Sequence, residues 1–165
     1  MDSKNELIGA LQAIPWLRDF TTEEFQKVVN ISRIYRFEPG QSIFHEGSKE
    51  DYLYIVIEGR VAIEMTLPGR GRVRILTVEP MDEVGWSSVT PVVRQRTAGA
   101  RAVLPSRLVA INAEGLRRIC DEDHDVGYIF MNHMVNVVAG RLLTTRLQLI
   151  DMFSQPTGKE EETNG

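Results

Sequence analysis

The apolar positions of this chain follow two periods, and the change from one to the other divides it. Residues 6–14 and 22–30 read as helices. Thr21 or Thr22 is placed to cap the second, with Glu23 and Glu24 in its first turn, where the helix dipole favours acid. From Ile31 the pattern becomes alternating. Ile31–Phe37, Ser42–His45, Tyr52–Ile57, Arg60–Thr66, Arg72–Val78, Ala100–Leu104 and Leu108–Ile111 are short runs rich in β-branched and aromatic residues. Pro39-Gly40, Gly47, Glu58-Gly59, Pro68-Gly69, Glu79-Pro80 and Pro105-Ser106 separate them. Short strands at close intervals with turns between them predict an antiparallel sandwich or barrel, not βαβ units.

The helical pattern returns after Asn112, a good N-cap, with a short helix over 113–121. A long helix is predicted from about Asp125, as its cap, to Phe153. Along it Met131, Val135, Val138, Leu142, Thr145, Leu149 and Met152 are spaced 4, 3, 4, 3, 4, 3. That is a heptad seam with one polar member, Thr145. Phe130, Met134, Val137, Leu143, Leu147 and Ile150 widen the apolar surface to a second side. A helix apolar on two sides needs two partners, here expected to be its own barrel and a twin helix. The tail over 154–165 is polar and acidic and is predicted to be disordered.

Composition narrows the class. The chain has 165 residues, 42% of them hydrophobic and 25% charged, which suits one ordinary globular domain. A single cysteine, Cys120, excludes an internal disulfide framework and a cysteine zinc site. No apolar run reaches the ~18 residues of a membrane span. Residues 1–6 carry no signal-peptide core, so a cytoplasmic location is expected. The net charge of −4 is unevenly spread. From Arg60 to Arg107 there are eight arginines and no lysine against four acids, a net +4 that leaves −8 elsewhere. Arginine without lysine suits planar contacts to an anion, although strand faces exposed to water explain most such residues.

The candidate chemistry lies between Pro80 and Ala102. Gly85 follows the fifth predicted strand, and Trp86–Val89 are fit to make a helical turn whose free N–H groups favour an anion. Arg96 and Thr97 come seven residues later and add a bidentate cation and a hydroxyl. Gly85, Trp86, Ser87, Ser88, Arg96 and Thr97 thus form a candidate cradle for one phosphate. Other constellations fail. Asp121–Asp125 opens like a calcium loop but has Val126 where glycine is needed and Asn132 where glutamate is needed. His45, His124 and His133 share no ligand spacing, so no metal is expected. Cys120 and His124 lack a third member, and the acids near the cradle form no catalytic pair, so no enzyme is expected.

These elements, taken in order, resemble the cyclic nucleotide-binding domain found in the catabolite activator protein, its bacterial relatives and protein kinase A regulatory subunits. Ile14-Pro15-Trp16-Leu17 resembles the family's leading helix, and Pro39–Gly47 (PGQSIFHEG) its P-G-x-x-I-F-x-E-G turn. Tyr52–Val61 resembles its strand–glycine–strand element, Arg96-Thr97-Ala98 the end of its phosphate-binding cassette, and the last helix its dimerising helix. The resemblance implies a mostly β fold with flanking helices: a double-stranded β-helix, or jelly-roll barrel, and a long C-terminal dimerisation helix. The expected divisions are a domain over 1–153, with helices over 6–30, a barrel over 31–112 and helices over 113–153, then the tail. Glycines 40, 47 and 59 are expected to build the barrel and touch no ligand.

The resemblance also implies function. Cyclic AMP or cyclic GMP is the expected ligand, with no further cofactor, held through its phosphate by Arg96, Thr97 and the backbone around Ser87 and Ser88. Thr145, and less directly Thr144, take the place of hydroxyls that reach the base in the activator protein. Occupancy would pass through the dimerising helix of a homodimer to an unknown downstream protein. Two departures bear on this. Trp86 stands where the family has a glutamate that accepts the ribose 2′-hydroxyl, and indole is a donor only. Gly99 or Ala100 stands where the family often has a hydroxyl residue. The alternative is therefore a degenerate scaffold or protein-interaction module, its pocket closed by Trp86. Twelve polar residues follow Phe153, too few for a winged helix-turn-helix, so DNA binding by this chain alone is not expected.

Overall fold

The structure, a computed structural model, describes residues 3–49, 51–90 and 95–154. Two helices open it, α1 (Ser3–Ala13) and α2 (Thr22–Asn30), with a 3₁₀ turn over Pro15–Asp19 between them. Thr21 is the cap of α2: its hydroxyl accepts from the Glu24 N–H, and the Glu24 carboxylate accepts from the Thr21 N–H. This reciprocal pair satisfies two of the helix's orphan donors.

Eight strands follow: β1 (Ser32–Phe37), β2 (Ser42–Phe44), β3 (Tyr52–Glu58), β4 (Val61–Leu67), β5 (Gly71–Val78), β6 (Glu83–Val84), β7 (Gly99–Ala102) and β8 (Ser106–Asn112). They form two four-stranded antiparallel sheets of order β1-β8-β3-β6 and β2-β7-β4-β5. Consecutive strands mostly sit in different sheets, which makes the sandwich a jelly roll. β6 lies between the turn read at Glu79-Pro80 and Gly85, where the sequence reading placed no strand. It is two residues long and begins with a charged side chain, so it carries no alternating pattern.

β3 shows why this chain must be a two-layered core. Its Leu53, Ile55 and Ile57 pack in one cluster, with the helices, and Tyr54 and Val56 in a second, between the sheets. β8 divides the same way, Val109 and Ile111 against Leu108 and Ala110. A strand buried on both faces reads as an unbroken apolar run, as Tyr52–Ile57 does. The turn into β4 requires Gly59, which has φ +89°, and a Cβ there would lie 2.4 Å from the Pro105 carbonyl oxygen.

Two helices close the chain, α3 (Ala113–Glu122) and α4 (His124–Ser154). The cap at the start of α4 is Asp123, whose carboxylate accepts from the Val126 N–H at 3.4 Å; Asp125 lies inside the first turn. Ser154 is the last residue of α4, so the expected tail begins one residue late, and the rest of it lies outside the described residues. The second apolar side of α4 is buried only in its first half. Phe130 and Met134 join the helical cluster, while Leu143, Leu147 and Ile150 are exposed. The seam residues Met131, Val135, Val138, Leu142, Leu149 and Met152 are exposed too. Glu6 on α1 fastens the helices to the sheet through Arg107 and Arg36, whose guanidiniums keep its carboxyl below the ordinary carboxylate range.

Candidate ligand cavity beneath the last helix

The Arg60–Arg107 stretch resolves into two kinds of arginine. Arg60, Arg72, Arg101 and Arg107 pair with Glu79, Glu64, Glu64 and Glu58, Arg101 and Arg107 being partly buried, and Arg70 and Arg74 face water. Arg96 is buried, with 3% of its surface exposed. Its guanidinium lies 4.2 Å from the centre of the Phe44 ring. One of its nitrogens donates to the Gly85 carbonyl at 2.6 Å and the other to the Tyr52 carbonyl at 2.5 Å. Arg94 lies outside the described residues.

Gly85 is what lets Arg96 lie there. It has φ +82°, the left-handed conformation that opens the 3₁₀ turn Trp86–Val89. A Cβ on it would stand 2.3 Å from Arg96 Nη1. Glycine therefore serves twice, for the turn and for the close approach of the cation.

Arg96 and the turn form one end of a cavity of about 350 Å³, within the ~300–1,000 Å³ of small-molecule sites. Ile63 and Met65 of β4 and Ile75 and Leu76 of β5 supply its apolar wall. Gly85, Trp86, Ser87, Arg96 and Thr97 line it, together with Thr144 and Thr145 from α4. Ser88 stands apart from it. Both its hydroxyl and its N–H donate to the Gly85 carbonyl, and its own carbonyl accepts from Arg117, which is also bound to Asp51. Trp86 is half-buried and packs against the helical core cluster, and the cavity remains open beside it.

Sequence reasoning missed two α4 residues of the lining, Arg141 and Gln148. Arg141 lines the cavity and donates to the Glu83 carbonyl at 3.0 Å. Gln148 lines it too and donates to the Ile75 carbonyl at 2.8 Å. Arg141, Thr144, Thr145 and Gln148 fall at i, i+3, i+4 and i+7, one polar stripe beside the apolar seam, and that spacing was legible. Glu83, only 4% exposed, is bonded by His133 Nε2, and the His133 ring stacks on Trp16 at 5.5 Å. Thr145 donates its hydroxyl to the Arg141 carbonyl at 2.9 Å while standing on the exposed seam. Burial, with Asp121 and Asp123 nearby, pushes the Cys120 thiol up to about 11, which disfavours the thiolate.

The ligand-sized cavity of this jelly roll thus lies between a glycine-opened turn and a long C-terminal helix. The family model for the cyclic nucleotide-binding domain matches residues 34–123, more than half of the chain, and the chain belongs to that family. It is 31% identical over 118 residues to the CRP-like cAMP-activated global transcriptional regulator of Mycobacterium tuberculosis, across 71% of this chain and 50% of that protein. The chain thus spans about half the length of the curated relatives it matches. A Geobacter metallireducens structure described as a cyclic nucleotide-binding protein shares 29% identity at a TM-score of 0.71, covering 86% of this chain and 99% of its own. The catabolite activator protein of Thermus thermophilus has the same fold, with 24% identity, a TM-score of 0.65 and coverage of 85% and 63%. Among the described residues no helix is long and apolar enough to cross a membrane.

Proposed function

We propose that this chain is a regulatory receptor for a cyclic nucleotide and that α4 carries its occupancy to a second copy and onward to a partner. The observation that carries the reading is the buried Arg96 beneath the Gly85 turn, at the end of a cavity of about 350 Å³. A guanidinium held by two carbonyls and the Phe44 ring is fixed in place before any ligand arrives, which lowers the ordering cost of binding an anion. The N–H groups of Trp86 and Ser87 at the start of the turn and the Thr97 hydroxyl complete a phosphate cradle, without Ser88, whose N–H is spent on the Gly85 carbonyl. Cyclic AMP is the first ligand to test, because the Mycobacterium relative is named as cAMP-activated.

Dimerisation rests on the exposed seam of α4, which is too apolar to suit a solvated helix face. The rival reading, a scaffold closed by Trp86, is disfavoured by the open cavity beside that ring. Calorimetric titration with cyclic AMP and cyclic GMP tests the proposal. Binding of either is expected, and Arg96→Ala is expected to weaken it by about 1.5–3 kcal/mol, the worth of a charge-assisted contact. Equal affinity in Arg96→Ala would remove the cradle assignment, and no binding by the unaltered chain would favour the scaffold.

A further inference from the structure

The turn Trp86–Val89 is held at both ends by arginines. Arg96, inside the fold, donates to the Gly85 carbonyl that precedes it. Arg117, on α3, donates from Nη1 to the Ser88 carbonyl near its far end. Both arginines are anchored at the start of β3. Arg96 also donates to the Tyr52 carbonyl at 2.5 Å. Arg117 pairs with the carboxylate of the preceding residue, Asp51, its Nη atoms lying 3.3–3.4 Å from the carboxylate oxygens. The Asp51 carbonyl in turn accepts the Ala113 N–H at 2.9 Å, which fixes the first residue of α3.

Left to itself the turn is weak. It is four residues long, and its backbone bonds run from the Ser88 N–H to Gly85 at 3.1 Å and from the Thr90 N–H to Ser87 at 3.4 Å. Peptide units are planar. Holding the Gly85 carbonyl therefore sets the direction of the Trp86 N–H in the same unit, and holding the Ser88 carbonyl limits rotation of the units between. A guanidinium at each place makes the bond a charge-assisted one, stronger than a neutral pair. Arg117 does this without entering the cavity. It is absent from the lining and borders a separate groove with Val89 and Phe130.

We infer that Arg117, braced by Asp51, is a positioning residue of the phosphate cradle: it touches no ligand and fixes the turn whose N–H groups meet the phosphate. The inference rests on the cyclic-nucleotide reading above and deepens it, by assigning the cradle's geometry to a residue outside the cavity. The side chains of Arg117 and Asp51 are 38% and 40% exposed, so both can be changed without opening the core.

The test is calorimetry with cyclic AMP, cyclic GMP and, for whichever binds, its two phosphorothioate diastereomers, in which sulfur replaces one or the other exocyclic phosphate oxygen. The unaltered chain is expected to prefer one diastereomer by about tenfold or more, because a fixed turn and a fixed guanidinium meet different oxygens. Arg117→Ala is expected to weaken the parent nucleotide by about tenfold and to cut the preference to about threefold or less, with partial recovery of both in Arg117→Lys, whose ammonium still donates to Ser88. Asp51→Asn, which leaves the Ser88 bond in place, is expected to lower the preference by a smaller factor. A merely structural loss would reduce the competent fraction, weaken both diastereomers equally and leave their ratio unchanged. An unchanged ratio in both Arg117→Ala and Asp51→Asn, unchanged parent affinity in Arg117→Ala, or no preference in the unaltered chain would each overturn this inference and leave the receptor reading intact. Failure of both parent nucleotides to bind the unaltered chain would overturn both.

Discussion

The two halves of α4 have similar side chains and opposite surroundings. In the first half Val126, Phe130 and Met134 are buried, and the Phe130 ring stands 5.4 Å from Trp16. His133 reaches across to the buried Glu83. In the second half Leu142, Leu143, Leu147, Leu149, Ile150 and Met152 are all exposed, and Phe153 is 81% exposed. The barrel reaches that half through polar contacts, from Arg141 to Glu83 and from Gln148 to Ile75. The first half is therefore part of the domain's own core. The second roofs the cavity with its polar stripe and leaves its leucines to be covered from outside. The heptad seam is exposed along both halves, and it is the second apolar side, buried at Phe130 and Met134 and exposed at Leu143, Leu147 and Ile150, whose cover only the tertiary structure reveals.

The comparison breaks most visibly if a first-half residue proves dispensable. Phe130→Ala is expected to cost about 3–5 kcal/mol in chemical denaturation, because it empties a fully packed aromatic site. A loss under about 1 kcal/mol would mean that the first half is not anchored by its core contacts. Next comes His133→Ala, which leaves the Glu83 carboxylate buried without its hydrogen-bond partner. Its expected cost is about 1–3 kcal/mol by the same measurement, with partial recovery in His133→Gln, whose amide restores a donor.

Much of this contrast was legible in the chain. The change of period at Ile31 marked the sheets, the run Tyr52–Ile57 marked a strand, and the heptad marked the exposed seam. Gly85 and Arg96 were legible as a pair because their residue types suit an anion. What stayed hidden was non-local. Arg96 meets Tyr52 across 44 positions and His133 meets Glu83 across 50, and no local pattern records such contacts. Glu83 was read only as one of the acids near the cradle that form no catalytic pair, since the burial of a polar group shows itself only when its partner is placed beside it. Arg141 was overlooked because the helix was read for its apolar stripe, and the polar stripe beside it was left unread. The split of the second apolar side was hidden for another reason. Leu143 and Phe130 look alike in sequence, and only the reach of the barrel distinguishes them.

A second-half substitution sharpens the comparison from the other side. Leu142→Ser is expected to leave the barrel's unfolding free energy within about 0.5 kcal/mol, as for a surface change. In sedimentation it is expected to weaken a dimer by about 1–2 kcal/mol, part of the worth of one buried leucine. A monomer for the unaltered chain at micromolar concentration would mean that the exposed seam has some other cover.

Thr145 is the residue where the seam and the cavity meet, and the smallest expected effect lies there. It is the polar member of the heptad, it is exposed, and it lines the cavity. Its hydroxyl proton is spent on the Arg141 carbonyl at 2.9 Å, so toward a ligand the oxygen is an acceptor. Thr145→Val keeps the branched shape and removes that acceptor. Titration with whichever cyclic nucleotide binds is expected to show a loss of about 0.5–1.5 kcal/mol, the net worth of one hydrogen bond. Sedimentation of the same variant is expected to show a dimer at least as tight, because a polar residue has left an apolar seam. Unchanged nucleotide affinity with a tighter dimer would assign Thr145 to the seam alone. The polar stripe that reads the ligand would then consist of Arg141, Thr144 and Gln148.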